Sequence, residues 1–349
     1  MKKMFRAAAC LLSAAMMAAT LTACGGGSES TDGGAAASGG NNGGTVVLTY
    51  AEVNSIDSLD GKVGTFFKDK VAELTGGSVV IDIQASGVLG TEADILDGMT
   101  TNSGTVDLCR ISIFDLNNYG CSLSSLTGVP FTFEDRDHYW AFTESDLAQQ
   151  MLAEPSEKGL GIKGLYFMEE GFRNYFFVNE VKDLADLTGR KIRVSSDPIL
   201  TGTTELLGAS ATVIPFNELY SSLQSGVVDG GDQPTALYES NAFNEVAPWL
   251  MKDQHTLSAS EVVMSEASMS KLTDEQMSAL MEAGKAASEY CKEISAQEES
   301  ESEERLKGKG VTIIEVPDKT PWRAACESII SEYTSGLESE YQQILDFAK

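Results

Sequence analysis

From residue 46 to residue 348, short apolar runs alternate with helix-length amphipathic segments, and this constrains the fold more than any other feature. Residues 46–50, 79–83, 106–113, 163–168, 173–178, 191–194, 212–214, 227–229 and 311–316 read as strands, rich in β-branched and aromatic side chains. Helical patterns fill the intervals at 61–74, 91–100, 135–151, 198–208, 218–225, 273–307 and 321–348. In the first of these, Val63, Phe66, Phe67, Val71 and Leu74 recur at helical spacing before Gly76-Gly77 ends the run. Strands alternating with helices predict βαβ units around largely parallel sheets, hence an α/β fold. The span is long enough for two α/β lobes or one large domain.

The first 44 residues stand apart from that pattern. Lys2, Lys3 and Arg6 precede an uncharged run over 7–23 that is too short to span a bilayer and ends in small residues. This predicts a secretory signal over 1–23. Leu21-Thr22-Ala23-Cys24 resembles the box at which bacteria lipidate a cysteine, so Cys24 is the expected lipid anchor, carrying the two chains that stable attachment needs. Residues 25–44 hold nine glycines in twenty positions and no large apolar side chain, which predicts a flexible tether. The expected location is the outer face of the cell membrane, or the periplasm.

Charge and motif content exclude several functions. There are 52 acidic against 25 basic residues, a net charge of −27, which argues against a nucleic-acid partner. Six of the thirteen residues from 293 to 305 are Glu, as on the solvated face of a helix. His138 and His255 are the two histidines, and no nucleophile elbow, phosphate loop, metalloprotease helix or dinucleotide fingerprint occurs. No enzyme, cofactor or metal site is therefore expected. Cys109, Cys121, Cys291 and Cys326 form no CxxC, and their spacing fits either free thiols or one or two bridges.

Three stretches carry the functional signal: GFRNYFFVN at 171–179, DLTGRKIRV at 186–194 and LGASATVIPFNELYSSLQSGVVDG at 207–230. In this order and spacing they resemble the substrate-binding component of tripartite ATP-independent periplasmic (TRAP) transporters, the DctP-type family. The turn at Leu89-Gly90 and Val129-Pro130-Phe131 fit the same pattern. The resemblance implies two α/β lobes around a ligand cleft with a long helix crossing both. The expected division is 45–170 with 259–298 for lobe I and 171–258 with 299–349 for lobe II. It also implies a carboxylate ligand, closure of the lobes on it, and delivery to membrane permease subunits driven by an ion gradient. A tethered sensor using the same cleft without transport, and a lipoprotein enzyme, are the competing readings.

Residue by residue, the resemblance makes Arg193 the carboxylate clamp. That assignment has a physical basis. Arg193 ends a short apolar strand, where α/β sheets bind ligands, and a guanidinium fork matches a carboxylate with two parallel hydrogen bonds. Arg173 matches a second family arginine, which either touches the ligand or supports a polar network with Asp232 and His255. Phe216 holds the family's aromatic position. Gln233 stands where many members carry Asn, and Ser195 replaces a proline. Ser195 and Ser196 are expected to donate to the ligand or to cap the following helix. Glu52 is expected at the cleft mouth, where it suits ligand hydroxyls and repels a second carboxylate. Arg110, on the 106–113 strand with Ser112 on the same face, would instead accept a second anionic group. Glu52 favours a polyhydroxylated acid, a uronate or aldonate.

Overall fold

The computed structural model describes residues 44–102 and 105–348; the expected leader, the expected anchor Cys24 and most of the expected tether lie outside them. Helices begin where the sequence supplies caps. Ser58 accepts from the Gly61 amide at the start of α1 (Leu59–Leu74), and Thr91 forms a capping box with Asp94 on α2 (Glu92–Thr100). Asp197 caps α3 (Pro198–Leu206), and a Thr273/Gln276 box opens α4 (Asp274–Gly308). Losing one such cap costs about 1 kcal/mol. At 35 residues α4 is roughly 50 Å long, enough to cross a whole domain. It packs on α1, whose buried stripe is Val63, Phe67 and Val71. Close approach of α4 to the sheet depends on Gly284, since a Cβ there would lie 2.7 Å from the Tyr166 ring.

The described strands join one sheet in the order β2-β1-β3-β8-β4-β7-β5-β6, with β9 also paired to β8. They are β1 (Val46–Ala51), β2 (Val79–Gln84), β3 (Leu108–Ser112), β4 (Ile162–Phe177), β5 (Lys191–Val194), β6 (Ser210–Val213), β7 (Gly230–Pro234), β8 (Trp249–Ser265) and β9 (Thr312–Glu315). The expected parallel pairing holds in two wings, β2-β1-β3 and β7-β5-β6. The centre differs: β3 with β8, β8 with β4 and β4 with β7 are antiparallel. The largest apolar cluster holds Tyr50, Phe67 and Phe114 of the first wing and reaches Val194 and Leu200 of the second. In the second, Tyr175, Ile192 and Trp322 form one cluster and Phe176, Leu219 and Tyr238 another. The result is a two-lobed α/β fold whose halves are joined through the long strands β4 and β8.

Several expected elements change. The strands expected at 163–168 and 173–178 are one strand, β4, which ends at Phe177 and stays paired to β8 through irregularities at Gly164/Tyr166, Glu169/Phe172 and Arg173/Tyr175. Gly171, at φ 104°, sits in the middle one, where a Cβ would come within 2.9 Å of the Arg136 guanidinium. The strand expected at 227–229 lies instead at Gly230–Pro234. Gly-Gly-Asp-Gln-Pro reads as a loop, yet it pairs on both edges, and a Cβ on Gly230 would lie 2.3 Å from the Phe176 carbonyl oxygen. The helix expected over 135–151 is two, Arg136–Thr143 and Asp146–Glu157, split where Ser145 caps the second. That expected over 321–348 is three, Thr320–Ala325, Glu327–Thr334 and Glu338–Leu345, with Gly336 at φ 80° before the last. All four described cysteines are free and buried.

Candidate ligand cleft

The C-terminal ends of β1, β3, β5 and β6 open onto one cavity of about 270 Å³, as open α/β sheets arrange their ligand sites. Its first wall is Val53, the Gly90–Ala93 turn at the head of α2, and Asp115; its second is Arg193, Ser195, Ser196 and the 213–217 segment. A smaller chamber of about 40 Å³ adjoins it and shares Val53, Glu92, Arg193, Ser195 and Phe216. One water needs roughly 10–15 Å³ on such a measure, so the outer chamber has room for a small organic ligand.

Arg193 lies on the boundary. It is 3% exposed, and its Nε–H donates to the Ile214 carbonyl at 2.8 Å. No carboxylate among the described residues pairs with it, and its terminal nitrogens have no hydrogen-bond acceptor there. Burial therefore pulls its pKa down to about 10. The Phe216 ring centroid is 5.9 Å from the guanidinium carbon, and the same ring lines both chambers. A buried cation without a counter-charge, open to a cavity, is a site for an anion.

The other two arginines are already neutralised. Arg173 donates from Nε to Asp232 Oδ2 at 2.5 Å, from Nη2 to the Asp232 carbonyl at 3.0 Å, and from Nη1 to Ser258 at 3.3 Å. Burial opposes the Asp232 charge, but Arg173 and His255 hold its carboxyl well below the usual range. Burial also opposes the His255 charge. Asp253, 2.6 Å from Nδ1, and Asp232, 3.5 Å from Nε2, nevertheless raise it to about 9, so the imidazole is cationic at neutral pH. It stacks on Tyr175 at 4.4 Å. Arg110 makes a bidentate pair with Glu52 at 3.0 and 3.2 Å, and its Nη1 reaches Glu170 at 3.0 Å and Glu92 at 3.1 Å.

Residues 50–336 match the family model described as bacterial extracellular solute-binding protein, family 7. The chain belongs to that family. A solute-binding protein of Roseobacter denitrificans is 30% identical over 271 residues, 78% of this chain and 82% of that one. The 2,3-diketo-L-gulonate-binding periplasmic protein of Escherichia coli is 28% identical over 251 residues, 71% of this chain and 74% of that one. The crystal structure of a TRAP periplasmic solute-binding protein from Xanthobacter autotrophicus with bound β-D-galacturonate matches with a TM-score of 0.81 at 26% identity, covering 86% of this chain and 99% of that one. The TRAP-type resemblance read from the three sequence stretches is borne out, and family 7 is a family of transport receptors.

In this family 7 protein, Arg193, Phe216, Ser195 and Ser196 all line the outer chamber, and Gln233 and Arg173 line the inner one. The Gln233 side chain makes no hydrogen bond within the described protein, whereas the contacts of Arg173 place it in the network with Asp232 and His255. Two expectations fail. Glu52 is 1% exposed and does not line the cavity; its carboxylate accepts from Arg110 and from the Asn54 amide. Arg110 reaches the inner chamber, but three carboxylates surround it, so it offers no free charge to a second anionic group. The helix cap expected from Ser195 or Ser196 is Asp197, which accepts from the Leu200 amide at 2.7 Å.

Sequence reasoning missed Glu92 and Asp115. Glu92 lines both chambers and accepts from the Ser112 amide at 2.9 Å. The Leu89-Gly90 turn was the available signal, since the residues just after it begin a helix at a strand's C-terminal end. Asn117 and Asn118 were missed as well. They follow β3, and they bond to Asp197 at 2.5 Å and to the Ser196 carbonyl at 2.6 Å, joining the two walls.

Proposed function

We propose that this chain is an extracellular receptor that captures a small sugar acid, a uronate or aldonate, on Arg193 and delivers it to a TRAP-type permease. The observation that carries this reading is the buried Arg193 guanidinium, open to a cavity and without a carboxylate partner. The ligands named for relatives, β-D-galacturonate and 2,3-diketo-L-gulonate, are of the same class. Phe216 packs on the carbon skeleton. Gln233, Ser195, Ser196 and the unpartnered Ser112 hydroxyl meet ligand hydroxyls. Asp232 and His255 hold Arg173 beneath the ligand.

The lobes divide at 45–170 with 259–298 and 171–258 with 299–349, and they bend in β4 and β8. The irregularities around Gly171 and the positive φ of Gln254 (51°) support a hinge there. Cys24 anchors the receptor through lipid and the 25–44 tether gives it reach. Calorimetric titration of the purified chain with uronates, aldonates and simple carboxylates tests the central claim. Micromolar binding of a sugar acid, lost in Arg193→Ala, is expected. Retention of full affinity in that variant would sink it. Labelling with a radioactive fatty acid, abolished by Cys24→Ala, tests the anchor.

A further inference from the structure

A further cavity, of about 470 Å³, opens where β4 and β8 break their register, and it shares no lining residue with the two ligand chambers. Phe131, Phe133, Phe172 and Pro317 give it an apolar wall, in which Phe133 and Phe172 are buried. Two lining residues hold left-handed backbone, Phe131 at φ 58° and Gln254 at φ 51°. Side chains other than glycine adopt it only where the surroundings impose it, and such strain gathers at ligand clamps. Here the Phe131 N–H donates to the His255 carbonyl at 2.8 Å, and the Phe131 carbonyl accepts from Arg323 Nη1 at 2.7 Å. The Gln254 N–H donates to Asn174 Oδ1 at 3.1 Å, and the Gln254 side-chain oxygen accepts from Lys319 Nζ. Two cations of the 317–323 segment thus hold both strained residues.

Those cations have only neutral acceptors. Among the described residues neither Lys319 nor Arg323 pairs with a carboxylate; their acceptors are the Gln254 amide oxygen and the Phe131 carbonyl. Lys319 is half-buried, and burial pulls its pKa down, with Asp253 offsetting this in part. The cavity's two acids, Glu134 and Asp318, are exposed. Asp318 accepts from the Thr320 amide at 3.0 Å, and neither acid makes an ion pair among the described residues. The lining therefore carries two positive and two negative charges, none paired with another, beside three phenylalanine rings.

We propose that this cavity is a second ligand site, which takes an α-amino acid with a large apolar side chain in its zwitterionic form. The carboxylate meets Lys319 and Arg323, the ammonium meets Glu134 or Asp318, and the side chain packs on Phe131, Phe133 and Phe172. A plain anion would satisfy the cations but face two acids, and a plain amine would do the reverse. A zwitterion answers both signs and adds no net charge. Small-ligand sites have this make-up, an apolar surface with a few polar groups that fix orientation. Because Arg323 and both acids are exposed, solvent screens their charges and the apolar wall supplies much of the affinity. The expected Kd is about 0.1–1 mM.

The probe is L-phenylalanine, titrated calorimetrically into the purified chain. Saturable binding in that range is expected, and none at about 10 mM overturns the proposal. Two analogues each lack one charge: 3-phenylpropionate has no ammonium and phenethylamine no carboxylate. Both should bind at least about tenfold more weakly, and so should glycine, which has no side chain to pack. Equal affinity for 3-phenylpropionate would make this a plain anion site, and equal affinity for glycine would leave the phenylalanines without a role; either result overturns the proposal. Variants locate the binding. Lys319→Met should weaken phenylalanine at least about tenfold, and full affinity in that variant overturns the assignment. Arg323→Gln, at the surface, serves in its place should Lys319→Met not fold, and the analogue series on the wild type decides without either. Arg193→Met should bind phenylalanine as the wild type does. Loss of binding there would put the amino acid in the other cleft and overturn the second site. The two sites fail separately: if phenylalanine binds and no sugar acid does, the reading of Arg193 falls and the second site stands.

Discussion

Replacing Arg193 by Met should make the empty receptor more stable and nearly blind to its ligand. Burial lowers the Arg193 pKa to about 10; Asp232 offsets this only in part, and the neighbouring Arg173 charge works against it. At about 1.4 kcal/mol per pKa unit, holding the charge there costs the folded protein about 3 kcal/mol. Met keeps the length and apolar body without the charge. The change also removes the Nε–H bond to Ile214 and the contact with Phe216. Together these offset about 2 kcal/mol. The net gain is about 1 kcal/mol, or about 2 °C in Tm for a protein of this size. Binding moves the other way. Losing two charge-assisted hydrogen bonds of roughly 1.5–3 kcal/mol each weakens a carboxylate ligand by about 10²- to 10⁴-fold. Differential scanning calorimetry with and without ligand reads both effects. A variant that melts below wild type and still shows a ligand-induced shift would refute the account of Arg193 as an uncompensated clamp.

Three further outcomes follow from the same structure. Glu261 is fully buried on β8 with neither oxygen hydrogen bonded, and burial together with Glu154 raises it to about 8. The native carboxyl then keeps its proton where the unfolded one, near about 4.3, has lost it. Stability should fall as pH rises from about 4.5 to 8 and level off above, and Glu261→Gln should flatten that slope and gain about 3–5 kcal/mol at pH 9; denaturant melts across pH check it. His255, raised to about 9 between Asp253 and Asp232, has the same sign. Its contribution is complete below about 6.5 and lost as pH passes about 9, and His255→Ala should cost about 2–4 kcal/mol at pH 6, read by urea unfolding. Asn118→Ala removes the bond to the Ser196 carbonyl that joins the cavity walls. It should raise Kd about three- to tenfold through faster ligand release, measured by stopped-flow, with Tm of the empty protein nearly unchanged.

How much was legible varies from element to element. The caps at Ser58, Thr91 and Thr273 are written locally, and the helices start there. Arg193 was legible because its signal is also local: an apolar run, then a guanidinium, then the chain leaving the sheet. β8 was not. Trp249–Ser265 is nearly all buried, yet it is peppered with Ser, Thr, Asp and Glu that look solvated until their partners on β4 and β3 are known. Glu92 and Asp115 were passed over for a related reason, since each reads as an ordinary acid at the end of an element.

The sequence by itself determined that strands alternate with helices, that a guanidinium lies near the C-terminal end of β5, and that the three motif stretches follow one another in the family's order. These are properties of neighbours along the chain, set by periodicity, capping and turn chemistry. Tertiary structure alone decided that the sheet's centre is antiparallel, that Gly230–Pro234 is a strand, and which arginine is free. Arg110 lies 58 residues from Glu52 and 60 from Glu170, and Arg173 lies 59 from Asp232. Whether a guanidinium can hold a ligand depends on whether a carboxylate already occupies it, and at such separations only the folded sheet brings the carboxylate there.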